Sequence, residues 1–308
     1  MNKALIILNP CAGTRQANRK FVGIIDVFCK GGYSTTVATT AKRGDGTAIA
    51  KERSKDYDIV VCIGGDGTFN EAVAGILQSG VDVPIGYIPA GSTNDFAAGL
   101  GLSTDIIRGA KDIVTGSPIN LDIGKFNDRY FSYVASFGAF TQTAYKVPQD
   151  MKNLLGHIAY ILGGIKDIPS IRPKKVRLRN EVGVYGGDYI FGAICNSTSM
   201  GGVITLKKDH VDMNDGLFEV LLIKSPKNIV ELTQITWAIT QNRYKQSPHI
   251  SFFSSSELEI ETDGKMPWTL DGEYQKGVEK IKIENVKSAI KIIVSPRHPS
   301  LQKMDLVK

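Results

Sequence analysis

An apolar strand that runs directly into a glycine-rich loop and then into a helix is the feature that most limits what this chain can fold into. The segment DIVVCIGGDGTFNEAVAGIL passes from a strand at residues 58–63 through Gly64 and Gly65 into a helical pattern. Thr68 and Glu71 have the spacing of a capping box, which predicts that the helix begins just after the glycines. Free N–H groups and the positive end of the helix dipole attract anions at such a helix start. The segment therefore predicts a phosphate site.

Asp66 lies in the middle of this loop, where its negative charge would repel a phosphate unless a cation stood between them. We therefore interpret Asp66 as a direct or water-mediated contact to the Mg²⁺ that accompanies a nucleotide. The alternative interpretation is a tight turn with a capping aspartate, because short glycine-rich motifs are common without a ligand.

Another loop of the same kind follows the strand in VPIGYIPAGSTNDFAAGLG. Ser92 and Asp95 again have the spacing of a helix cap, and Thr93 and Asn94 add a hydroxyl and an amide beside them. Because the same arrangement occurs twice, a ligand site is a better explanation of these loops than unrelated turns.

One more polar loop, LNPCAGTRQ, leaves the first strand through Asn9 and Pro10. Such loops gather at the carboxyl ends of the strands in a parallel sheet, where ligands bind. Thr39 and Thr40, at the end of the strand YSTTVAT, are placed to add a hydroxyl there. The three loops predict a nucleotide cleft, although the chain has neither the GxxxxGK[ST] nor the GxGxxG spacing.

The order of apolar segments predicts two domains. Residues 1–125 alternate buried strands with helical patterns, which predicts an α/β nucleotide-binding domain with a parallel sheet. Residues 126–287 contain strands of alternating character, which predict a mostly antiparallel β-sandwich domain. The last apolar run, AIKIIV, either completes the first domain within residues 288–308 or finishes the second, and the sequence does not decide which.

Composition excludes several classes of protein. A chain of 308 residues with 42% hydrophobic and 22% charged residues is typical of globular proteins. No apolar run reaches the roughly 18 residues that a membrane span needs, and the first apolar run is too short for a signal peptide, so we expect a cytoplasmic protein. The 37 Lys and Arg residues outnumber the 31 Asp and Glu residues. This excess favours an anionic partner such as nucleotide phosphate or anionic lipid.

Two acidic segments of the second domain are candidates for further chemistry. Oxygen-bearing side chains cluster before the strand LFEVLLIK, where a cation site and an acidic turn are both compatible with the spacing. In TLDGEYQ, Asp271 and Glu273 would face the same way on a strand, and close carboxylates raise the pKa of one of them. A hairpin turn with exposed acids is the alternative.

The ordered motifs NPCAG, Thr39 with Thr40, GGDGTFNE and PAGSTNDFA resemble the catalytic domain of diacylglycerol kinases and their sphingosine and ceramide kinase relatives. GGDGT is shared with NAD kinases and phosphofructokinases, whereas PAGSTNDFA in combination with it is much more specific. Ala12 departs from the serine that the family often has there. The resemblance implies ATP and Mg²⁺ as cofactors, and it implies a nucleotide site formed by Asn9, Pro10, Cys11, Ala12, Gly13, Thr40, Gly64, Gly65, Asp66, Gly67, Thr68, Phe69, Asn70, Thr93 and Asn94.

The resemblance also assigns roles in the second domain. It implies a structural Mg²⁺ bound by Asp212, Asp215 and the backbone carbonyl of Leu217. It places the DGE segment in an interdomain cleft, with Glu273 as the proton acceptor and Asp271 positioning it or the substrate hydroxyl. The spacing of the two acids does not by itself separate these roles.

The function implied is therefore an ATP-dependent diacylglycerol kinase, with Asp66, Asp271 and Glu273 as its catalytic residues. Other lipid kinases acting on sphingoid bases or phosphatidylglycerol remain alternatives, followed by NAD kinase and a non-catalytic nucleotide-binding regulator. The expected partners are a membrane lipid substrate and the anionic inner membrane surface, with no nucleic acid. An exposed edge strand in the β domain could pair two copies as a homodimer. The amphipathic pattern at residues 151–168 is compatible with core packing and with membrane contact.

Overall fold

A computed structural model describes residues 1–138, 173–197, 199–200, 204–205 and 213–301 of the chain. It divides the chain into two compact units, Met1–Ile123 with Lys287–Lys308 and Gly124–Val286. Two long strands continue from one unit into the other, β5 (Ser117–Phe126) and β17 (Lys280–Val294).

The first unit alternates strands and helices as the sequence predicts. Its further strands are β1 (Asn2–Leu8), β2 (Tyr33–Thr39), β3 (Ile59–Gly64) and β4 (Ile85–Pro89). Its helices are α1 (Gln16–Arg19), α2 (Phe21–Lys30), α3 (Asp45–Arg53), α4 (Asp66–Ser79), α5 (Asp95–Leu100) and α6 (Ile106–Thr115). A short 3₁₀ turn at Ser54–Asp56 leads into β3.

The strands of this unit form a parallel sheet in the order β2-β1-β3-β4, and the end of β17 adds beside β4 through a pairing of Ile292 with Ile85. Alternate residues of the strands face opposite sides of the sheet. On one side, Ile6 and Val61 share a core with α2 and α6. On the other side, Tyr87 stacks against Phe69 of α4. The α/β architecture predicted for this part of the chain is confirmed.

The strand order reverses between β1 and β3, because β2 lies on one side of β1 and the later strands lie on the other. In open α/β sheets the crevice at such a reversal is where ligands bind. The loops that follow β1 and β3 therefore flank the position at which this topology favours a site.

One strand differs from its prediction. YSTTVAT was predicted to be a buried strand, but β2 is only partly buried along its length. It lies at the edge of the sheet and pairs with β1 alone among the described strands, so one side and part of each face remain in solvent.

The second unit is antiparallel. Its further strands are β6 (Arg129–Phe131), β7 (Val134–Gly138), β8 (Lys174–Arg179), β9 (Val184–Cys195), β10 (Ser199–Met200), β11 (Ile204–Thr205), β12 (Phe218–Lys224), β13 (Ile250–Ser255), β14 (Glu257–Glu261), β15 (Trp268–Leu270) and β16 (Glu273–Gln275). It contains helix α7 (Ile229–Thr240) and a 3₁₀ turn at Tyr244–Gln246.

The long strand β9 organises this β-sandwich. Its first half pairs with β8, and its second half lies between β7 and β12. The core beneath it is aromatic, with Trp268 fully buried against Phe126 and Phe137. Strand β12, predicted to be half-buried, is buried from Phe218 to Ile223 because β9 and β13 flank it within the sheet.

No helix among the residues that the structure describes is long and apolar enough to cross a membrane. The helical pattern at residues 151–168 lies outside the described residues.

Candidate active site

Backbone hydrogen bonds hold together the loops after β1, β3 and β4, which are the first, second and third loops in chain order, at the carboxyl edge of the parallel sheet. The amide of Asn9 donates to the Ile63 carbonyl at 2.9 Å, and the amide of Ala90 donates to the Gly64 carbonyl at 2.7 Å. The three glycine-bearing loops identified in the sequence are therefore neighbours, as the parallel sheet predicts.

Glycine is required where these loops touch. A Cβ atom on Gly13, whose φ is 49°, would lie 2.4 Å from the Ala90 carbonyl oxygen, and one on Gly91 would lie 2.6 Å from the Gly65 Cα. Both obstacles are backbone atoms, which cannot rotate away as a side chain can. The backbones of the first and second loops thus approach the third as closely as glycine allows.

Asn9 joins the first loop to the start of α4. Its side-chain amide donates to the Thr68 hydroxyl at 3.0 Å, while its side-chain oxygen accepts from the Cys11 amide at 3.0 Å. Thr68 was predicted to cap α4 together with Glu71, and this prediction is wrong. Helix α4 already begins at Asp66, and Thr68 lies within its first turn.

Glu71 takes a different role because α3 packs alongside α4. Its two carboxylate oxygens accept from the amides of Gly44, at 2.7 Å, and Gly46, at 3.0 Å. These bonds cap the start of α3. Glu71 is 27 positions from Gly44 and 25 positions from Gly46 in the sequence, so local spacing cannot indicate it as the capping residue.

The carboxylate of Asp66 links the second loop to the third. Its Oδ2 accepts from the Asp95 amide at 2.9 Å and its Oδ1 accepts from the Phe96 amide at 3.2 Å. These are the first amides of α5, so Asp66 caps that helix from outside it. The predicted Ser92 and Asp95 cap is therefore wrong: Asn94 occupies the position before the helix, and its side chain bonds the Gly91 backbone instead.

The surroundings of Asp66 shift its protonation. Burial raises the pKa of Asp66 to about 6, against the two amide hydrogen bonds, which act to lower it. The nearby charge of Asp95 adds to the rise, while the buried Tyr87 hydroxyl beside Asp66 opposes it. The structure thus holds a carboxylate that changes charge near neutral pH at the edge where the glycine loops meet, a feature of functional sites.

The predicted nucleotide residues are not equally accessible. Gly13, Cys11 and Thr93 are exposed, and Pro10, Gly65, Asp66, Gly67 and Asn94 are partly exposed. Thr40, Thr68 and Asn70 are less than one tenth exposed. Phe69 is completely buried, stacked between Tyr87 and Phe96, and its amide donates to Gly65 within α4. The side chain of Phe69 therefore packs within the first unit, and its part in nucleotide binding stays a prediction.

In the second unit, Asp271 and Gly272 form the two-residue turn between β15 and β16, where Leu270 pairs with Glu273. Their φ values of 51° and 79° fit the type I′ turn that Asp-Gly favours. The prediction that Asp271 and Glu273 lie on one strand and face the same way is wrong, because only Glu273 belongs to a strand.

Asp271 is buried and engaged with backbone. Its Oδ2 accepts from the Ser132 amide at 2.5 Å, and its Oδ1 accepts from the amides of Tyr133, at 2.9 Å, and Val134, at 3.0 Å. The carboxylate therefore fixes the bend before β7, and the alternative of two solvent-exposed acids does not describe it.

Glu273 is partly buried beside a cation that sequence reasoning missed. The Arg129 Nη2 lies 3.4 Å from its Oε2, and the Arg129 Nη1 donates to the Gln275 side chain at 2.6 Å. Arg129 precedes Glu273 by 144 positions. Arg129 is a single basic residue at the start of the three-residue strand β6, which gives no sequence signal for this contact.

The proposed structural magnesium site lies only partly within the described residues. The Asp215 Oδ1 accepts from the Leu217 amide at 2.8 Å, which closes the turn before β12. Asp212 lies outside the described residues. Within the described ranges no cluster of three metal-ligating acidic, histidine or cysteine side chains occurs, so the site at Asp212, Asp215 and Leu217 stays a prediction.

Comparison with known proteins decides the family. Residues 3–126 match the model of the diacylglycerol kinase catalytic domain, and residues 134–294 match that of the YegS C-terminal NAD kinase beta sandwich-like domain. The chain is 32% identical over 276 residues to a diacylglycerol kinase of Bacillus subtilis (strain 168), covering 89% of this chain and 90% of that protein. The chain belongs to the diacylglycerol kinase family.

A second curated relative supports this assignment, and two solved structures share the fold. A diacylglycerol kinase of Staphylococcus aureus (strain MRSA252) is 30% identical over 273 residues, covering 88% of this chain and 86% of that protein. A crystal structure from Bacillus anthracis (strain Sterne) superposes with a TM-score of 0.79 at 23% identity, over 96% of both chains. Another from that strain, described as a diacylglycerol kinase, has a TM-score of 0.71 at 20% identity, over 96% of this chain and 98% of that one.

As a member of this family the protein is a lipid kinase. The resemblance found in NPCAG, GGDGTFNE and PAGSTNDFA is confirmed, and so is the two-part architecture of an α/β catalytic domain and a β-sandwich.

Substitution of Gly91 tests the close contact between the second and third loops. Gly91→Ala should destabilise the protein by about 1–3 kcal/mol, because its Cβ would meet backbone. Gly109→Ala is the matched control: Gly109 lies inside α6 with no atom closer than 3.8 Å, so alanine should stabilise by up to about 1 kcal/mol. Denaturant unfolding measures both, and equal effects would contradict the described packing.

Titration of Asp66 tests its environment. In protein with ¹³C-labelled aspartate, the Asp66 carboxyl resonance, assigned by its loss in Asp66→Asn, should move with a midpoint near pH 6. A midpoint at the ordinary 3.8 would show that burial does not control this group. Since the folded pKa is raised, the neutral carboxyl stabilises the fold below the unfolded pKa, and this contribution is lost as the pH rises through about 6.

Proposed function

We propose that this enzyme transfers the γ-phosphoryl group of Mg-ATP to the free hydroxyl of diacylglycerol, giving phosphatidic acid. The observation that carries the proposal is the meeting of three glycine-bearing loops around Asp66 at the reversal of strand order. The names of the curated relatives support the choice of diacylglycerol among lipids.

The loop backbones provide the phosphate-binding part of the proposal. Amides near Gly65 and Gly67, at the positive end of the 14-residue α4, suit the negative oxygens of a triphosphate. Gly13 and Gly91 let the three loop backbones pack closely against one another, since neither carries a side chain, and so bring their amides to one edge of the sheet. Exposed Thr93 is available for a hydroxyl contact.

Asp66 is the residue that would hold the nucleotide's magnesium ion, directly or through water. Each of its oxygens has one amide partner, and an oxygen of a carboxylate can accept more than one bond, so the donor set fits a hard cation. Bound there, Mg²⁺ would neutralise charge on the phosphoryl oxygens. The two amides keep the Asp66 side chain in one orientation before any ligand arrives.

Glu273 is proposed as the proton acceptor. The lipid hydroxyl oxygen forms a bond to the γ-phosphorus, the bond from that phosphorus to the bridging oxygen breaks, ADP leaves, and the hydroxyl proton passes to the Glu273 carboxylate. Arg129 holds that carboxylate in place. Asp271 suits this task less well, because both its oxygens already accept backbone amides. Its proposed role is to fix the turn that carries Glu273.

NAD kinase activity is the second candidate, favoured by GGDGT and by the NAD kinase-like description of the matched C-terminal family. The combination of PAGSTNDFA with a DGE turn favours a lipid acceptor over NAD. We further propose that the enzyme acts in the cytoplasm, bound peripherally to the inner membrane surface, because its substrate resides in the bilayer.

A panel assay tests the function. Phosphate transfer from labelled ATP should be strongest to diacylglycerol in mixed micelles, compared with a sphingoid base, phosphatidylglycerol and NAD. Faster transfer to NAD would support the second candidate, and ATP binding without transfer to any acceptor would indicate a non-catalytic regulator.

Two conservative substitutions test the assigned groups. Asp66→Asn and Glu273→Gln should each stay folded and lower kcat by about a hundredfold or more, because they remove a metal contact and a base. Exposed Glu279 lies in the same unit as Glu273, so Glu279→Gln serves as the control and should keep full activity. Circular dichroism checks folding, and near-normal turnover in either variant would remove that residue from the mechanism.

A further inference from the structure

Helix α7 of the second unit has two faces of different character. Its buried face consists of Leu232, Ile235, Ala238 and Ile239, which pack into the unit. Asn228 caps its start by accepting from the Glu231 amide at 2.9 Å, and Glu231 in return accepts from the Lys227 amide at 2.8 Å. The helix is therefore firmly anchored, and its opposite face lies in solvent.

That solvent face exposes large apolar side chains. Trp237 is 51% exposed, Val230 is 61% exposed and Ile229 is 50% exposed. Val230 and Trp237 are seven positions apart, or about two helical turns, so they lie on the same side of the helix. Elsewhere among the described helices, only Val22 of α2 is a comparably exposed large apolar residue. A cluster of this kind on a stable helix indicates an interaction surface.

The rest of the face is uncharged, and the chain segments that flank the helix on both sides, called here its border, are basic. Between Val230 and Trp237 the exposed positions are Thr233 and Gln234. Residues 224–250 contain four Lys or Arg side chains, one histidine and one acidic side chain. The basic residues lie beyond both ends of the helix: Lys224, Lys227, Arg243 and Lys245. The single acid, Glu231, is used in the helix cap.

Arg243 joins the basic border to the apolar face. Its guanidinium carbon lies 5.1 Å from the centre of the Trp237 ring, within the range of a cation–π contact. Lys245 lies in the same way 5.8 Å from the Phe252 ring. Each pair places a cation next to an aromatic ring, an arrangement suited to the region where lipid headgroups meet acyl chains.

We propose that the face formed by Ile229, Val230 and Trp237, bordered by these four cations, docks the enzyme on an anionic lipid bilayer. Tryptophan prefers the membrane interface, aliphatic side chains gain from burial below the headgroups, and nearby cations are attracted to anionic lipid. This surface deepens the proposed function by naming the part of the chain that brings the enzyme to its substrate. A protein partner is less well matched, because the face offers no charge of its own for specific pairing.

Fluorescence tests the proposal directly, since the chain has two tryptophans. In Trp268→Phe protein the signal comes from Trp237 alone. Its emission should shift to shorter wavelength with vesicles of phosphatidylcholine containing about one third phosphatidylglycerol, and it should be quenched by brominated acyl chains. Vesicles of phosphatidylcholine alone should cause a much smaller shift. Unchanged emission with anionic vesicles would overturn the proposal.

Vesicle sedimentation gives a second readout that does not depend on altering buried Trp268. Trp237→Ser should weaken binding to anionic vesicles about tenfold or more, and Arg243→Gln with Lys245→Gln should weaken it about fivefold per charge. Val22→Ser and Lys51→Gln, exposed residues of the first unit, are the controls and should bind as the parent does. Equal binding of Trp237→Ser and parent would place the membrane contact elsewhere.

Two further measurements separate this proposal from its alternatives. Trp237→Ser should keep parental kcat on a short-chain, water-soluble diacylglycerol while its apparent KM for diacylglycerol in anionic vesicles rises. If no lipid is phosphorylated at all, the proposed function fails, yet vesicle binding still decides the docking surface. Light scattering that shows a parental dimer broken by Trp237→Ser, without loss of vesicle binding, would make this face an interface between copies and overturn the proposal.

Discussion

A partly buried carboxylate that reaches across two loops organises the candidate nucleotide site. Asp66 begins α4, and its oxygens accept the first two amides of α5. Two helix starts are thereby tied to one side chain. Burial raises the pKa of this group to about 6, because the charged form of the carboxylate is less favourable here than in water. A group of this kind is suited to meet a cation, which would compensate the unfavourable charge.

The sheet topology and the glycines make that arrangement possible. The reversal of strand order between β1 and β3 leaves an opening at the carboxyl edge of the sheet. The contacts of Gly13 and Gly91 with the neighbouring loop backbones then close three loops around it. In the second unit the Asp271 carboxylate has a comparable structural role. It accepts hydrogen bonds from three consecutive amides and thereby fixes the turn beside Glu273.

Much of this could be predicted from the sequence, because the signals are local. Continuous apolar runs predict buried strands such as β3, and the glycine loops follow these runs directly. Predictions failed where a partner is distant in sequence. Thr68 and Ser92 had cap spacing, but the actual bonds to helix starts come from Glu71 and Asp66, which the packing of α3 against α4 and of α4 against α5 brings there.

The acids of the second unit show the same limit. A hairpin turn at Asp271 was the alternative that the sequence offered, and the pairing of β15 with β16 forms it. The burial of Asp271 was not predicted, because it depends on backbone 137 to 139 positions earlier. Arg129 was not predicted, because a single arginine at the start of a short strand forms no recognisable pattern. A residue's type suggests its chemistry, but its partners follow from the assembled sheet.

Nucleotide binding by the glycine loops is the central requirement for the proposed activity, and amide NMR with a non-hydrolysable ATP analogue and Mg²⁺ tests this binding directly. We expect the largest chemical-shift changes at the amides of Gly13, Gly65, Gly67 and Gly91, and we expect these changes to be smaller when magnesium is withheld. Binding of the analogue with these four amides unmoved, and the shifts concentrated elsewhere, would contradict it.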